Sequence, residues 1–294
     1  MDLVPFMESR EIIWLFCAAH LCCTKSLDSI KARMKHWFLD IDIEREVRTG
    51  GAAIVCFFAY ETQLPKGTGF TLFGSVHIAW LVGILAVIAL AALWVSQRPA
   101  YRQRKISKAV ALVLCAMIVA EKAILTFTGH LSVYNLPLHL CELSPLLYLL
   151  FVWRPWDWLG QVIYVLCFPG AAAALLFPDW NAYPPWNFMN WNSFLLHGLL
   201  VLFPILQLIE GRLRPQPRSI WKVWLFLGGL VPPIWLFNRI FGTNYFFLNA
   251  ASPQSPLAWM WHLTGTTWYL LGYLLLAAGV MMGMLLPWVG KQDK

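Results

Sequence analysis

From Gly74 onward the chain is a succession of apolar runs broken by short polar connections. Seven can be read: Gly74–Ser96, Lys108–Thr128, Leu136–Val152, Leu159–Phe177, Trp191–Ile209, Trp221–Asn238 and Thr266–Trp288. Each approaches the roughly 20 residues needed to cross about 30 Å of hydrocarbon. Backbone polar groups find no water in lipid, so runs of this length predict helices. Strand-like alternation of apolar and polar positions is absent, which excludes a barrel. The third run is the shortest, and its Leu136-Pro137 start suits a first helical position, where a missing N–H costs nothing. The pattern predicts an all-α polytopic membrane protein with a bundle of about seven transmembrane helices.

Composition agrees. Of 294 residues, 59% are hydrophobic and 13% charged, against roughly a quarter charged in an average soluble domain. The 17 Trp suit rings at the water–lipid boundary, as in Trp153, Trp156 and Trp158. The net charge of +7 is not a nucleic-acid signal, because the basic residues cluster in short connections. The first connection holds Arg98, Arg102, Arg104, Lys105 and Lys108, and the fifth Arg212, Arg214, Arg218 and Lys222 against Glu210. Gly129–Asn135 has no Lys or Arg, Pro178–Asn190 only Asp179, and Arg239–Gly265 a single Arg239. Basic connections stay in the cytoplasm, so the odd-numbered ones and the C-terminal Lys291 and Lys294 are expected there, with the N-terminus outside. A bacterial cytoplasmic membrane is the expected location. None of the seven Cys lies in a zinc-module spacing.

The opening region differs. Ile12–Cys23 is too short to span, Ser26–Arg48 mixes both charges with apolar positions as an amphipathic surface helix does, and Gly51–Tyr60 is another short apolar run. Two parts are expected: an N-terminal extension, residues 1–69, and a seven-helix domain, residues 70–294.

Helix direction then puts polar residues at a common depth. His139 and Cys141 lie one to one and a half turns into the third helix, His197 at nearly the same level of the fifth, and His77 one turn into the first. Glu121 and Lys122 lie two turns from the outer end of the second, and Asn244, His262 and Trp268 in or beside the sixth connection. Intramembrane ionisable groups are costly and usually face a bundle interior or wet cavity. Within the layer Cys141 is the nucleophile, and a His within reach is its usual activator. His139 is two residues away, roughly 200° around the helix, so His197 is the better base. Glu142 shares a face with His139 and suits fixing its tautomer, Glu121 does so for His197 or pairs with Lys122, and Asn244 offers an oxyanion donor.

Each reading has a plainer counterpart. A Cys in an apolar helix commonly packs, an intramembrane His commonly bonds a neighbouring helix, and Glu121–Lys122 is most simply a neutralised pair. Asn244 after Gly242 suits a turn. Pro145, Pro169, Pro204 and Pro232-Pro233 kink membrane helices without further meaning.

Leu136-Pro137-Leu138-His139-Leu140-Cys141, Phe168-Pro169-Gly170-Ala171 running to Leu176-Phe177-Pro178-Asp179, Phe194-Leu195-Leu196-His197-Gly198 and Gly242-Thr243-Asn244-Tyr245-Phe246-Phe247-Leu248 resemble motifs of the YwaF-like integral membrane proteins. Phe73-Gly74-Ser75-Val76-His77 is similar to that family's first-helix motif. The resemblance covers roughly Phe70 to Trp288 and implies seven helices. It further implies kinship with an animal endoplasmic-reticulum transacylase of ether phospholipids that uses a Cys and a His, at the positions of Cys141 and His197 here.

The leading expectation is therefore a lipid acyltransferase working through a Cys141 thioester with His197 as base. Membrane phospholipids are its acyl donor and acceptor, and no metal or cofactor is needed. One alternative is a metal-dependent lipid hydrolase using His77, His139, Glu142 and His197. Another is a transporter or sensor whose polar layer is a substrate or proton path. No internal repeat supports that one.

Overall fold

The structure is a computed structural model that describes residues 57–290. The segments Ile12–Cys23 and Ser26–Arg48, and Lys291 and Lys294, lie outside the described residues, as does all but the end of Gly51–Tyr60. Among the described residues there is no strand. The architecture is a polytopic helical membrane protein: the described residues hold six helices long and apolar enough to cross a bilayer, plus a shorter apolar one. In chain order they are α1 Ser75–Ser96, α2 Ala100–Phe127, α3 Leu140–Trp153, α4 Asp157–Leu176, α5 Phe188–Ile209, α6 Ile220–Phe241 and α7 Pro256–Leu285.

The surface is apolar and the interior carries the polar groups. Val82, Leu85, Val119 and Leu225 are more than 60% exposed, while His77, Ser144, Asn192, His197, Gln207 and Asn238 are buried. Surface and core are both largely apolar where lipid is the solvent, and the buried polar groups supply interhelical hydrogen bonds that hold helices together. Tyr148 on α3 donates to Leu200 O on α5 at 3.0 Å, and its ring stacks on Phe203 at 4.2 Å. Trp80 of α1 stacks on Phe194 of α5 at 4.8 Å. A Cβ at Gly198 would stand 3.1 Å from Ile84 Cγ2, so this glycine sets the close approach of α5 to α1.

Several boundaries differ from those the hydropathy predicts. α2 begins at Ala100, so Arg102, Arg104, Lys105 and Lys108 occupy its first turns and not a loop. α3 begins at Leu140, not Leu136. A residue before proline is pushed out of the helical region, which bars Leu136. Tertiary contacts then claim the stretch: Leu136 N donates to Tyr245 Oη at 2.8 Å, and Leu136, Leu138 and Leu140 pack on Ile234, Tyr245 and Phe246. α4 is interrupted by a π turn, Ile163–Cys167, in which Phe168 N bonds Ile163 O five residues back. Pro169 lacks an N–H and its ring crowds the carbonyl four residues earlier, so the ladder widens just before it. α7 starts ten residues earlier than hydropathy predicts and breaks at Gly265 (φ 66°, ψ 178°), placing His262 on a helix and not in a loop.

The sixth connection, 242–255, folds back under tight control. Gly242 closes α6 in the left-handed conformation (φ 67°). The buried Asn238 accepts from Tyr245 N at 2.9 Å and Thr243 Oγ1 at 2.7 Å and donates to Tyr245 O at 2.9 Å. Phe246 and Phe247 are both held at positive φ (58° and 54°), strained for bulky residues. Tyr245 Oη donates to Val133 O at 2.7 Å while accepting from Leu136 N. Burial pushes this hydroxyl above its ordinary pKa, with the Leu136 amide pulling the other way. Tyr245→Phe should leave both backbone groups unpaired and cost about 1–3 kcal/mol. Thermal unfolding in detergent checks this, and an unchanged midpoint would count against the clamp.

The described residues fall into two compact units. One comprises residues 57–70 with Trp180–Trp191; the other comprises Thr71–Asp179 with residues 192–290. In the first, Phe70 N donates to Asn181 O at 3.0 Å and Asn187 Nδ2 to Ala59 O at 2.9 Å. A Cβ at Gly69 would sit 2.0 Å from Asn181 O, so only glycine fits. Residues 57–69, read from sequence as the end of an extension, are thus built together with the connection before α5.

Candidate functional site

The polar layer is organised around Lys122. Its Nζ lies 2.7 Å from Glu121 Oε1 on the same helix and 2.5 Å from Glu142 Oε1 on α3. Glu121 Oε2 accepts from Asn192 Nδ2 of α5 at 2.8 Å. Glu142 Oε2 accepts from the His139 backbone N at 3.2 Å, closing the first turn of α3. One ammonium, two carboxylates and one amide therefore tie α2, α3 and α5 together. The expected Glu121–Lys122 pair is present, but Glu142 joins it. Glu142 was expected to fix the His139 ring; the contact made is to the His139 main chain, because the carboxylate is shared between the cation and the open helix end. Asn192 is a member that sequence reasoning missed, and nothing distinguishes it locally from Asn190 or Asn187.

His139 stands at the N-cap of α3, its ring 5.0 Å from Tyr245 and 5.3 Å from Phe247. Cys141 follows as the second residue of α3, half-buried and free. The first amides of a helix have no intrahelical partner. Pro145, four residues on, removes the amide that would bond the Cys141 carbonyl. Cys141 lies within electrostatic reach of Cys167, Asp179 and Glu142, and of Tyr273 on α7. Cys167 ends the π turn of α4 and is buried.

His197 is buried on α5, and its Nδ1 is 2.7 Å from Ser193 O. A carbonyl only accepts, so the proton sits on Nδ1 and Nε2 carries the lone pair a base needs. His197 and His139 are within electrostatic reach of each other. His197 is the tenth residue of α5, which starts at Phe188, and Cys141 the second of α3, which starts at Leu140. Asn192 marks the level of Glu121, and His197 lies five residues deeper, roughly 7 Å of helical rise.

Other expected members lie elsewhere. His77 is fully buried and receives Phe73 N on Nδ1 at 2.9 Å, while Nε2–H donates to Leu175 O at 2.8 Å. Both ring nitrogens are spent tying the start of α1 to the end of α4. Among the described residues no three His, Cys, Asp or Glu gather as metal ligands. His77, His139, Glu142 and His197 are thus not gathered as one ligand set. Asn244 Nδ2 donates to Ala250 O at 2.9 Å, and its Oδ1 accepts from Asn249 N at 2.9 Å and Ala250 N at 3.1 Å. It is a turn residue, and its donor is engaged in the loop instead of aimed at an oxyanion. His262 and Trp268 are exposed on α7, outside the layer.

No curated protein and no solved structure matches the chain. The TMEM164 family matches residues 72–285, a stretch that holds all seven helices together with Lys122, Cys141 and His197. The chain belongs to the TMEM164 family.

Proposed function

We propose that this protein is a membrane-embedded lipid acyltransferase in which Cys141 is the nucleophile and His197 the base. The TMEM164 family is that of the animal ether-lipid transacylase, and membership suggests membrane-lipid acyl transfer. The YwaF-like branch rests on the motifs alone. The observation that carries the residue assignment is the placement of Cys141 in the open first turn of α3, beside a layer of buried polar groups. The His197 tautomer supports its role, since the Ser193 carbonyl holds the proton on Nδ1.

In this reading His197 Nε2 takes the Cys141 proton and the thiolate attacks the ester carbonyl of a phospholipid. The tetrahedral intermediate collapses to an acyl thioester, and the departing lysophospholipid alkoxide takes the proton back from the imidazolium. An acceptor hydroxyl then gives its proton to His197 and attacks the thioester. The Cys141 thiolate leaves and is reprotonated. The basic ends of α2 and α5 face the cytoplasm, so the ester enters from the opposite leaflet.

The test is a mass measurement. Protein incubated with a phospholipid donor and no acceptor should gain one acyl chain, released by mild neutral hydroxylamine as thioesters are. His197→Ala should slow adduct formation without removing it, because the nucleophile stays in place and only its base is lost. Raising the pH should then restore part of the rate. A His197→Ala protein that labels at the full rate at pH 7 would remove His197 from the mechanism.

A further inference from the structure

The end of α3 opposite Cys141 carries a second feature. Arg104, Lys105 and Lys108 on the first turns of α2, Arg212 after α5, and Val152, Trp153 and Pro155 at the end of α3 line an open cavity of about 510 Å³. Arg104 and Lys108 are one turn apart on one face of α2, with Lys105 beside them. Among the described residues no carboxylate lies within 4.0 Å of any of these three cations. Arg212 is fixed in place: its Nη2 donates to Val152 O at 2.9 Å and its Nη1 lies 3.9 Å from Glu210 Oε2. Glu210 is held in turn by Ser107 Oγ and Gln207 Nε2. Four cations thus converge with one carboxylate near them, and that one is already engaged.

Like charges gathered in a preformed cavity repel one another, and an anion that several of them contact relieves this. Two guanidiniums offer the forked donors that match phosphate oxygens. The other wall is apolar, and Trp153, 70% exposed, is the ring type found at headgroup level. A cavity of this size and mixed lining at the basic end of transmembrane helices fits a lipid headgroup. We infer that this pocket binds the phosphate of an anionic phospholipid, from the leaflet at the basic end of the bundle. The site is separate from the acyl-transfer layer, so the inference stands whether or not Cys141 is a nucleophile.

The experiment uses the full chain purified from vesicles of phosphatidylcholine doped with phosphatidic acid, with native mass spectrometry counting retained lipids. The wild-type protein should keep one phosphatidic acid, enriched at least about tenfold over its share of the vesicle. The triple variant R104Q/K105Q/K108Q should lose about a hundredfold in affinity, at about fivefold per cation. R104K/K105R/K108R should keep most of the binding. If the triple variant does not fold, K105Q and K108Q singly should each show the fivefold loss. Equal retention by wild-type and neutralised proteins would overturn the site. So would displacement of the lipid by millimolar inorganic phosphate, which would identify a soluble anion as the occupant.

Discussion

Alanine at Cys141 should abolish both the acyl adduct and acyl transfer, by on the order of 10⁴-fold or more, as loss of a nucleophile does in covalent catalysis. The comparison that gives this meaning is with the other free cysteines among the described residues. Cys115 is half-buried on α2, and Cys167 is buried at the end of the π turn. Cys115→Ala and Cys167→Ser should both label, since neither removes the Cys141 thiol. Cys167 makes this control sharp, because a label that followed it would move the nucleophile from α3 to α4. Peptide mapping of the hydroxylamine-sensitive adduct separates the two. Turnover of a verified lipid donor by the Cys141→Ala protein at the wild-type rate would rule the thioester out.

The second large effect is on stability. Lys122→Met should destabilise the protein by about 3–5 kcal/mol, because it leaves the Glu121 and Glu142 carboxylates buried without their cation. Their side chains and that of Lys122 are only 14–15% exposed, so water offers little compensation. Lys122→Arg should be far milder, since it preserves the charge. Adding Glu142→Gln to Lys122→Met should recover part of the loss by removing one of the stranded charges. Thermal unfolding in a fixed detergent measures all three. A Lys122→Met midpoint equal to wild type would mean that the layer is wet enough to hold free carboxylates, which would favour the proton-path reading over a dry acyl-transfer site. Glu142 also closes the first turn of α3, so the same variant should disturb Cys141.

The helices were written into the chain by run length alone. A stretch of about 20 apolar residues has one stable form in lipid, and α1, α4, α5 and α6 lie where hydropathy predicts, apart from a few residues at their ends, while α2 starts eight residues earlier. Chain direction also sufficed to put Lys122, His139, Cys141 and Glu142 near one level. The tertiary structure decided the rest. Leu136–His139 is apolar enough for helix, yet the Tyr245 loop takes its hydrogen bonds, a partner more than a hundred residues away. The Glu142 carboxylate could reach the His139 ring by spacing, and goes to Lys122 because α2 presents an ammonium there. Asn192, Asn238 and Tyr245 hold the site and its loop together but give no signal in sequence. The reason is physical. In a soluble helix the polar face marks the outside, so the pattern tells which way the helix turns. Here lipid and core are both apolar, and each helix's rotation is fixed only when its few polar groups find partners on the others.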